Sequence, residues 1–382
     1  LLAYLVRRLL ENGANTSFVH RLVDPAVSEE AVIADPVARL NALGAGPNPR
    51  IRLPRDLYPD RRNSAGFDLA DRATAPSVIE RVHLSAGGEF SVPGAGPRRE
   101  IRNPADRRIL VGVAPDTTPD EMETILSALS GGWREWDRKG GPSRAGILEA
   151  AADRLEADRE ALLFLLAREA GRTLADGLAE IREAVDFLRY YAARAREDFA
   201  APRVLPGVTG ERNTWQLGGR GVFATISPWN FPLSIFTGQV AAALAAGNAV
   251  AAKPAEQTPL VAARAVQHLH AAGVPENALA LVLGDGPGVG ARLIADRRIA
   301  GVAFTGGTDT ARAIASALAA RPGPIVPLIA ETGGVNAMLV DSSALAEQVV
   351  TDVLASAFGS AGQRCSALRL LCLQEEIAGP VL

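Results

Sequence analysis

The sequence contains few residues that form covalent or metal cross-links, with two cysteines in 382 residues. Cys365 and Cys372 are too few for a disulfide framework or a cysteine-rich metal centre. We therefore expect no metal. Because a working thiol must stay reduced, the sequence predicts a cytosolic protein, and peripheral docking of a longer protein to the inner membrane stays open.

The sequence also lacks a run of about eighteen apolar residues, so no membrane span is predicted. The 40 basic and 43 acidic residues are interspersed and give a formal net charge of −3. Such a surface has no basic stripe that would neutralise a phosphate backbone, and nucleic acid is not an implied partner. An apolar content of 48% indicates a globular chain of about two to three domains.

The chain has no initial methionine and begins inside a helical pattern, so we expect it to be part of a longer protein. Residues 1–24 are predicted to end a preceding domain, with a helix that stops at Asn12-Gly13. Repeated prolines and glycines predict a linker with short elements over residues 25–100. A dinucleotide-binding domain is predicted over 101–330, and the start of a further domain over 331–382.

Periodicity in the second half of the chain predicts an α/β fold. Long helices are expected over Arg144–Ala170 and Leu174–Phe199. Short apolar runs then alternate with helical stretches, at residues 221–226, 249–252, 279–283 and 299–304. This alternation predicts a Rossmann-type parallel sheet, which binds ligands beyond the carboxyl ends of its strands.

Two glycine-containing turns follow predicted strands, at residues 284–291 and 304–308. Each offers backbone N–H groups at a helix start, which suits a pyrophosphate, although an ordinary strand-to-helix turn remains an alternative. Lys253 and Glu256 follow another strand and would grip ribose hydroxyls, with Glu256 repelling a 2′-phosphate. A solvated Lys–Glu pair is the alternative reading.

Three residue types in this chain together suit covalent oxidation of an aldehyde: a thiol, a carboxylate and an amide. Cys365 lies among small residues that leave room for a ligand, with Arg364 as a source of positive field. Glu331, between apolar residues and a Gly-Gly turn, suits a general base, and Asn230 supplies an amide donor. A buried cysteine and a turn or helix-cap carboxylate remain the simpler alternatives, and Cys372 is assigned to the core.

The motifs, read jointly, resemble those of the aldehyde dehydrogenase superfamily in order and spacing. They are Ser227-Pro228-Trp229-Asn230-Phe231-Pro232, Lys253-Pro254-Ala255-Glu256, Phe304-Thr305-Gly306-Gly307-Thr308, Glu331-Thr332-Gly333-Gly334 and Gly362-Gln363-Arg364-Cys365. Residues 330–334 and 363–367 further resemble glutamate-γ-semialdehyde (1-pyrroline-5-carboxylate) dehydrogenases. Residues 4–15 resemble the last helix of the FAD-containing proline dehydrogenase barrel in bifunctional proline utilisation A flavoproteins.

This resemblance implies a role for each matching residue. Cys365 would be the nucleophile, Asn230 the oxyanion donor and Glu331 the base that activates water, with NAD as hydride acceptor. Phe231 and Ser366 would contact a small-molecule semialdehyde, and Tyr4, Arg7 and Arg8 would contact proline. The implied dinucleotide site consists of Ser227, Pro228, Trp229, Lys253, Glu256, Gly286, Phe304, Thr305, Gly306 and Gly307.

The resemblance also sets out departures and alternatives. Gly307 stands where the family usually has serine, and the lost hydroxyl would weaken cofactor binding by about 1 kcal/mol. The family continues well beyond the end of this chain, so we expect the isolated segment to be inactive. The resemblance also implies that the parent protein is a homo-oligomer. Another acid semialdehyde as substrate, a non-catalytic scaffold and a thiol esterase remain open as alternatives.

Overall fold

The structure is a computed structural model that describes residues 2–13, 17–44, 46, 48, 50–85 and 90–382, with the backbone alone for 2–4 and 11–13. It divides into two compact units, Leu1–Leu53 and Pro54–Leu382. No helix in these described ranges is long and apolar enough to cross a membrane.

The first unit is a series of short helices whose described side chains are mostly exposed. Its helices are α1 (Leu2–Gly13), α2 (Phe18–Val23), α3 (Glu29–Ile33) and α4 (Pro36–Ala42). Ser17, Ser28 and Asp35 begin the last three helices by accepting backbone N–H bonds with their side chains. Arg7 and Arg8 are exposed on α1, whereas the side chain of Tyr4 lies outside the described part of the structure.

The second unit begins with a helix, a small sheet and four long helices. These are α5 (Ala75–Leu84), β1 (Phe90–Ser91), β2 (Arg98–Arg102), β3 (Leu110–Pro115), α6 (Pro119–Arg138), α7 (Gly141–Ala157), α8 (Arg159–Glu169) and α9 (Leu174–Asp198). Strand β3 is central, parallel to β1 and antiparallel to β2. An exposed antiparallel pair follows, β4 (Arg203–Leu205) and β5 (Asn213–Trp215).

The single helix predicted over Arg144–Ala170 is wrong at its centre, where α7 and α8 meet at Asp158. The backbone of Asp158 is non-helical, with φ −94° and ψ 19°. Its carboxylate accepts hydrogen bonds from Arg264 Nε and Arg264 Nη2, at 2.7 and 3.0 Å, and contacts His268 Nε2 at 2.7 Å. Partners more than a hundred residues away therefore fix a break that helical periodicity does not reveal.

The predicted parallel sheet is confirmed. Its elements are β6 (Val222–Ile226), α10 (Ser234–Ala245), β7 (Ala249–Lys253), α11 (Pro259–Ala272), β8 (Leu279–Leu281), α12 (Ala291–Ala295), β9 (Ile299–Gly306), α13 (Thr308–Ala320) and β10 (Leu328–Thr332). The strand order is β10-β9-β6-β7-β8, and each neighbouring pair is parallel. This is a doubly wound sheet. From β6 the chain adds β7 and β8 on one side and then β9 and β10 on the other, so the order of the strands reverses between β6 and β9.

Helices cover both faces of this sheet, which explains why its central strands are continuously apolar. Leu148, Leu188 and Leu244 are fully buried on the face that carries α7, α9 and α10. On the other face Leu126 of α6 and Leu293 of α12 are fully buried. The sheet is therefore buried on both faces, and the loops that follow its strands lie at its carboxyl edge.

The last part of the chain forms a smaller α/β layer. It consists of β11 (Asn336–Val340), α14 (Ala346–Phe358), β12 (Leu368–Leu373) and α15 (Glu375–Val381). Strands β11 and β12 are parallel, and Val340, Val349 and Ile377 form their core. Strand β10 of the large sheet extends to Thr332, two residues beyond the domain boundary predicted at 330.

Candidate active site

The carboxyl edge of the five-stranded sheet collects most of the predicted site residues. Ser227 directly follows β6, Lys253 ends β7, and Thr305 and Gly306 end β9. The direction switch between β6 and β9 opens a crevice at this edge. Parallel α/β sheets bind their ligands in such a crevice.

A cavity of about 500 Å³ adjoins the crevice, lined by Lys253, Gly286 and Gly290 on one side and by residues of α13 on the other. In the described structure the Oγ of Ser227 is buried without a hydrogen-bond partner. Helix α13 starts after Gly307 without a side-chain cap, which leaves N–H groups for an anion. A Cβ added at Gly286 or Gly307 would meet open space. The residues present therefore fit a dinucleotide.

Lys253 and Glu256 differ in their surroundings. Lys253 is buried, and burial lowers the pKa of its ammonium group, against the opposing effect of Glu256 and Asp285. Its Nζ donates to the backbone oxygen of Pro254 at 3.2 Å. Glu256 is half-buried and accepts a bond from Gln257 Nε2 at 2.9 Å. The predicted grip of both residues on ribose hydroxyls stays a prediction.

The remaining predicted cofactor residues lie along the same edge. Trp229 is 41% exposed, whereas Pro228 is half-buried and Phe304 is buried. The hydroxyl of Thr305 accepts a bond from Gln239 Nε2 at 2.9 Å. Gln239 lies on α10, so that helix orients the end of β9.

The turn that carries Cys365 has an unusual backbone. It begins with a short 3₁₀ helix, Gly359–Gly362, in which Ser360 and Ala361 have φ angles of 56° and 54°. This left-handed conformation is costly for residues with a Cβ. Cys365 follows it and is exposed, as is Ser366. Cys372, predicted to lie in the core, is half-buried in β12.

Two asparagine side chains hold this turn. Asn230 Nδ2 donates to the backbone oxygen of Gln363 at 2.7 Å. Asn336 Nδ2 donates to the backbone oxygens of Cys365 and Ala367, at 2.7 and 3.0 Å. The structure thus brings the predicted amide donor to the turn that carries Cys365, the predicted nucleophile. Sequence reasoning did not single out Asn336, although it follows the Glu331-Thr332-Gly333-Gly334 motif closely in sequence.

Arg364, expected to add a positive field for the thiolate, forms an ion pair with a carboxylate. Arg364 Nη2 binds Asp176 at 2.7 Å, and its guanidinium lies 5.9 Å from the ring centroid of Phe231. The prediction that Arg364 adds a positive field for the thiolate stays a prediction. Asp176 lies at the start of α9, far from Cys365 in sequence.

Glu331 lies in β10 opposite Thr305 of β9, rather than in the turn that follows the strand. Its side chain is exposed and lines a cavity of about 400 Å³ with Phe187, Phe304 and Thr305. Cys365 is not among the described residues that line this cavity. The role of Glu331 as a base therefore stays a prediction.

Two buried carboxylates that accept bonds from the N–H groups at helix starts were missed by sequence reasoning. Burial raises the pKa of Glu180 to about 7, although two backbone N–H groups and Arg172 favour its charged form. Burial likewise raises the pKa of Glu169 to about 8, against bonds from the N–H groups of Leu260 and Val261. Their only sequence signal is an acidic residue among apolar helical positions.

Comparisons with known proteins show the family of this chain. The family described as "Aldehyde dehydrogenase family" matches residues 92–382. The bifunctional protein PutA of Escherichia coli (strain K12) is 50% identical over 400 residues, which cover 100% of this chain and 29% of that protein. The chain thus spans less than a third of that relative.

Solved structures give the same result. A mutant of Bradyrhizobium japonicum proline utilization A (PutA) aligns with a TM-score of 0.85 and 50% identity, over 100% of this chain and 36% of that one. A 1-pyrroline-5-carboxylate dehydrogenase from Thermus with bound NAD aligns with a TM-score of 0.80 and 30% identity, over 84% of this chain and 64% of that one. The chain belongs to the aldehyde dehydrogenase family.

Proposed function

We propose that the protein carrying this chain oxidises L-glutamate γ-semialdehyde, the open form of 1-pyrroline-5-carboxylate, to L-glutamate with NAD as hydride acceptor. The observation that carries the proposal is the bond between Asn230 Nδ2 and the backbone oxygen of Gln363. It brings an amide donor from the dinucleotide-binding sheet to the turn of an exposed thiol. The semialdehyde is supported by the 1-pyrroline-5-carboxylate dehydrogenase and the PutA proteins that this chain resembles.

The residues divide the chemistry among them. The thiolate of Cys365 attacks the aldehyde carbon and forms a C–S bond, while the carbonyl oxygen becomes an oxyanion. An amide has two N–H donors, so Asn230 can hold Gln363 with one and donate to the oxyanion with the other, beside the N–H of Cys365. Phe231 and Ser366 contact the substrate chain.

A bound nicotinamide dinucleotide supplies the acceptor for the hydride that leaves the substrate carbon. Loss of the hydride restores the carbonyl group and leaves a thioester on Cys365. Glu331 then takes a proton from water, which attacks the thioester carbon, breaks the C–S bond and releases glutamate and the thiolate of Cys365. Lys253, Ser227 and the turns at Gly286 and Gly306-Gly307 hold the dinucleotide. Glu256 favours NAD over NADP because its charge repels a 2′-phosphate.

We also propose that the full-length protein is bifunctional and contains a proline dehydrogenase unit with FAD. The PutA proteins match the whole of this chain, including α1 with Arg7 and Arg8. Tyr4, Arg7 and Arg8 would then contact proline, and the two activities would act in sequence in proline catabolism. The need for a reduced Cys365 supports a cytosolic location, and a homo-oligomer stays a prediction.

The test is NADH formation from 1-pyrroline-5-carboxylate by the full-length protein, its Cys365→Ala variant and the 382-residue segment in parallel. We expect activity in the full-length protein and none in the variant. Preference for a semialdehyde without an amino group would overturn the glutamate assignment. NAD-independent ester hydrolysis without aldehyde oxidation would support the esterase alternative, and a folded protein with an inert thiol would support a scaffold.

A further inference from the structure

Arg172 lies in the short connection between α8 and α9, and its side chain is 6% exposed. Its Nε contacts Glu180 Oε2 at 3.2 Å, and the side chain of Glu180 is fully buried. Removing two charged groups from water is costly unless further hydrogen bonds satisfy them. The other contacts of this pair therefore decide what it does.

Glu180 connects the pair to the loop that carries Asn230. Its Oε1 accepts bonds from the backbone N–H groups of Leu233 and Ser234, at 2.8 and 3.3 Å. These residues begin α10, directly after the loop that carries Asn230 and Phe231. A carboxylate at a helix N-terminus is favourably placed, and here it also fixes the position of the loop.

Arg172 connects the same pair to the turn that carries Cys365. Its Nη1 donates to the hydroxyl of Ser360, five residues before Cys365. Its guanidinium carbon lies 4.6 Å from the ring centroid of Phe231, a cation–π contact. One buried arginine therefore contacts both the proposed substrate-binding ring and the turn before the thiol.

The turn needs such an external contact. Ser360 and Ala361 both adopt the left-handed conformation, with φ angles of 56° and 54°. Residues other than glycine hold that conformation only when their surroundings determine it. The bond from Arg172 to Ser360 and the bond from Asn230 to Gln363 are two contacts that select this conformation.

We propose that Arg172, held by Glu180, is a positioning residue for the reaction. It keeps the loop of Asn230 and Phe231 and the turn before Cys365 in fixed relative positions. The thiol then reaches the carbonyl carbon while the Asn230 amide reaches the oxygen of the same carbonyl group. The inference rests on the proposed function in taking Cys365 as the nucleophile. The alternative is that the pair is a buried ion pair of structural value alone.

The experiment compares the full-length wild type with Arg172→Met, Arg172→Lys and Ser360→Ala. The control is Arg264→Met, which removes a two-bond contact to Asp158 on a different pair of helices. For each protein we would measure kcat and KM for aldehyde oxidation, the NAD dissociation constant and the rate at which iodoacetamide alkylates Cys365, followed on its own peptide by mass spectrometry.

We expect Arg172→Met to lower kcat by between about tenfold and a hundredfold, because small misplacements of reacting groups have effects of this size. The alkylation rate should change while NAD affinity stays that of the wild type. Arg172→Lys should recover part of the rate, since it keeps the charge beside Glu180 but loses the planar contact with Phe231. Arg264→Met should lower thermal stability and leave kcat and alkylation unchanged.

Wild-type kcat and alkylation in a destabilised Arg172→Met would overturn the proposal and leave a structural ion pair. Should that variant not fold, Ser360→Ala decides, because Ser360 is half-exposed and its loss removes the same contact. Unchanged kcat and alkylation in Ser360→Ala would then overturn the proposal. A wild type that oxidises no aldehyde would refute the proposed function, and the alkylation rates would still report on the positioning of the thiol.

Discussion

Replacement of Asn230 separates two roles that one amide group combines. In the structure Asn230 Nδ2 donates to the backbone oxygen of Gln363 at 2.7 Å and so holds the turn of Cys365. In the proposed reaction the second N–H stabilises the oxyanion. Asn230→Ala removes both donors, whereas Asn230→Asp keeps the shape and replaces the donors by a negative charge.

The two roles differ in energetic size. Loss of one neutral hydrogen bond such as that to Gln363 costs about 1 kcal/mol, which corresponds to about a fivefold slower reaction. Loss of an oxyanion donor costs about 3 to 4 kcal/mol and slows kcat by about a hundredfold to a thousandfold. Asn230→Ala is therefore expected to fall in the second range, and Asn230→Asp to be slower still because its charge repels the oxyanion.

The assay is kcat for NADH formation from 1-pyrroline-5-carboxylate by the full-length protein, with thermal unfolding as a check of the fold. Asn213→Ala is a matched control, since Asn213 is an exposed asparagine of β5 that bonds the backbone of Pro206. It should behave as the wild type. A drop in Asn230→Ala of less than about fivefold would refute the oxyanion role and leave only the bond to Gln363.

Three further predictions concern the cofactor and the fold. Glu256→Gln removes one negative charge near the expected ribose, which relieves about 1 kcal/mol of repulsion toward a 2′-phosphate. The ratio of kcat/KM with NADP to kcat/KM with NAD should therefore rise by about fivefold. An unchanged ratio would contradict the role of Glu256. Burial raises the pKa of Glu169 from 4.5 to about 8, so the folded state keeps a proton that the unfolded state has lost, and the free energy of unfolding should fall as pH rises between these values. Glu169→Gln should flatten that dependence in urea unfolding measured from pH 5 to about 8.5, and an equal slope in both proteins would count against it. Thr118 caps α6 in a reciprocal arrangement with Glu121, so Thr118→Ala should cost about 1 kcal/mol of stability in the same assay, with Thr118→Ser as the control that keeps the cap.

The elements that sequence reasoning predicted well are those with a strong local pattern. Helix α9 ends at Asp198, one residue from its predicted end, and the four apolar runs are strands β6 to β9. Helix α7 was predicted to continue beyond its actual end, because the break at Asp158 depends on Arg264 and His268, which approach it only in the folded chain.

Candidate residues at strand ends were predictable for a related reason. In a parallel sheet with crossovers the carboxyl ends of all strands lie along one edge, so Ser227, Lys253 and Thr305 must meet there once the strands are recognised. The ion pair between Arg364 and Asp176 was not predictable, because Asp176 lies 188 residues earlier and matches no local motif.

The sequence by itself determined which residues have the chemistry for thioester formation and which strand each one follows, because those properties depend on residue type and short-range periodicity. Only the tertiary structure decided how the turn that carries Cys365 is held. Arg172, Asn230 and Asn336 reach it from separate elements, and Glu180 holds Arg172 in place. Contacts between residues so far apart in sequence arise only when the chain packs.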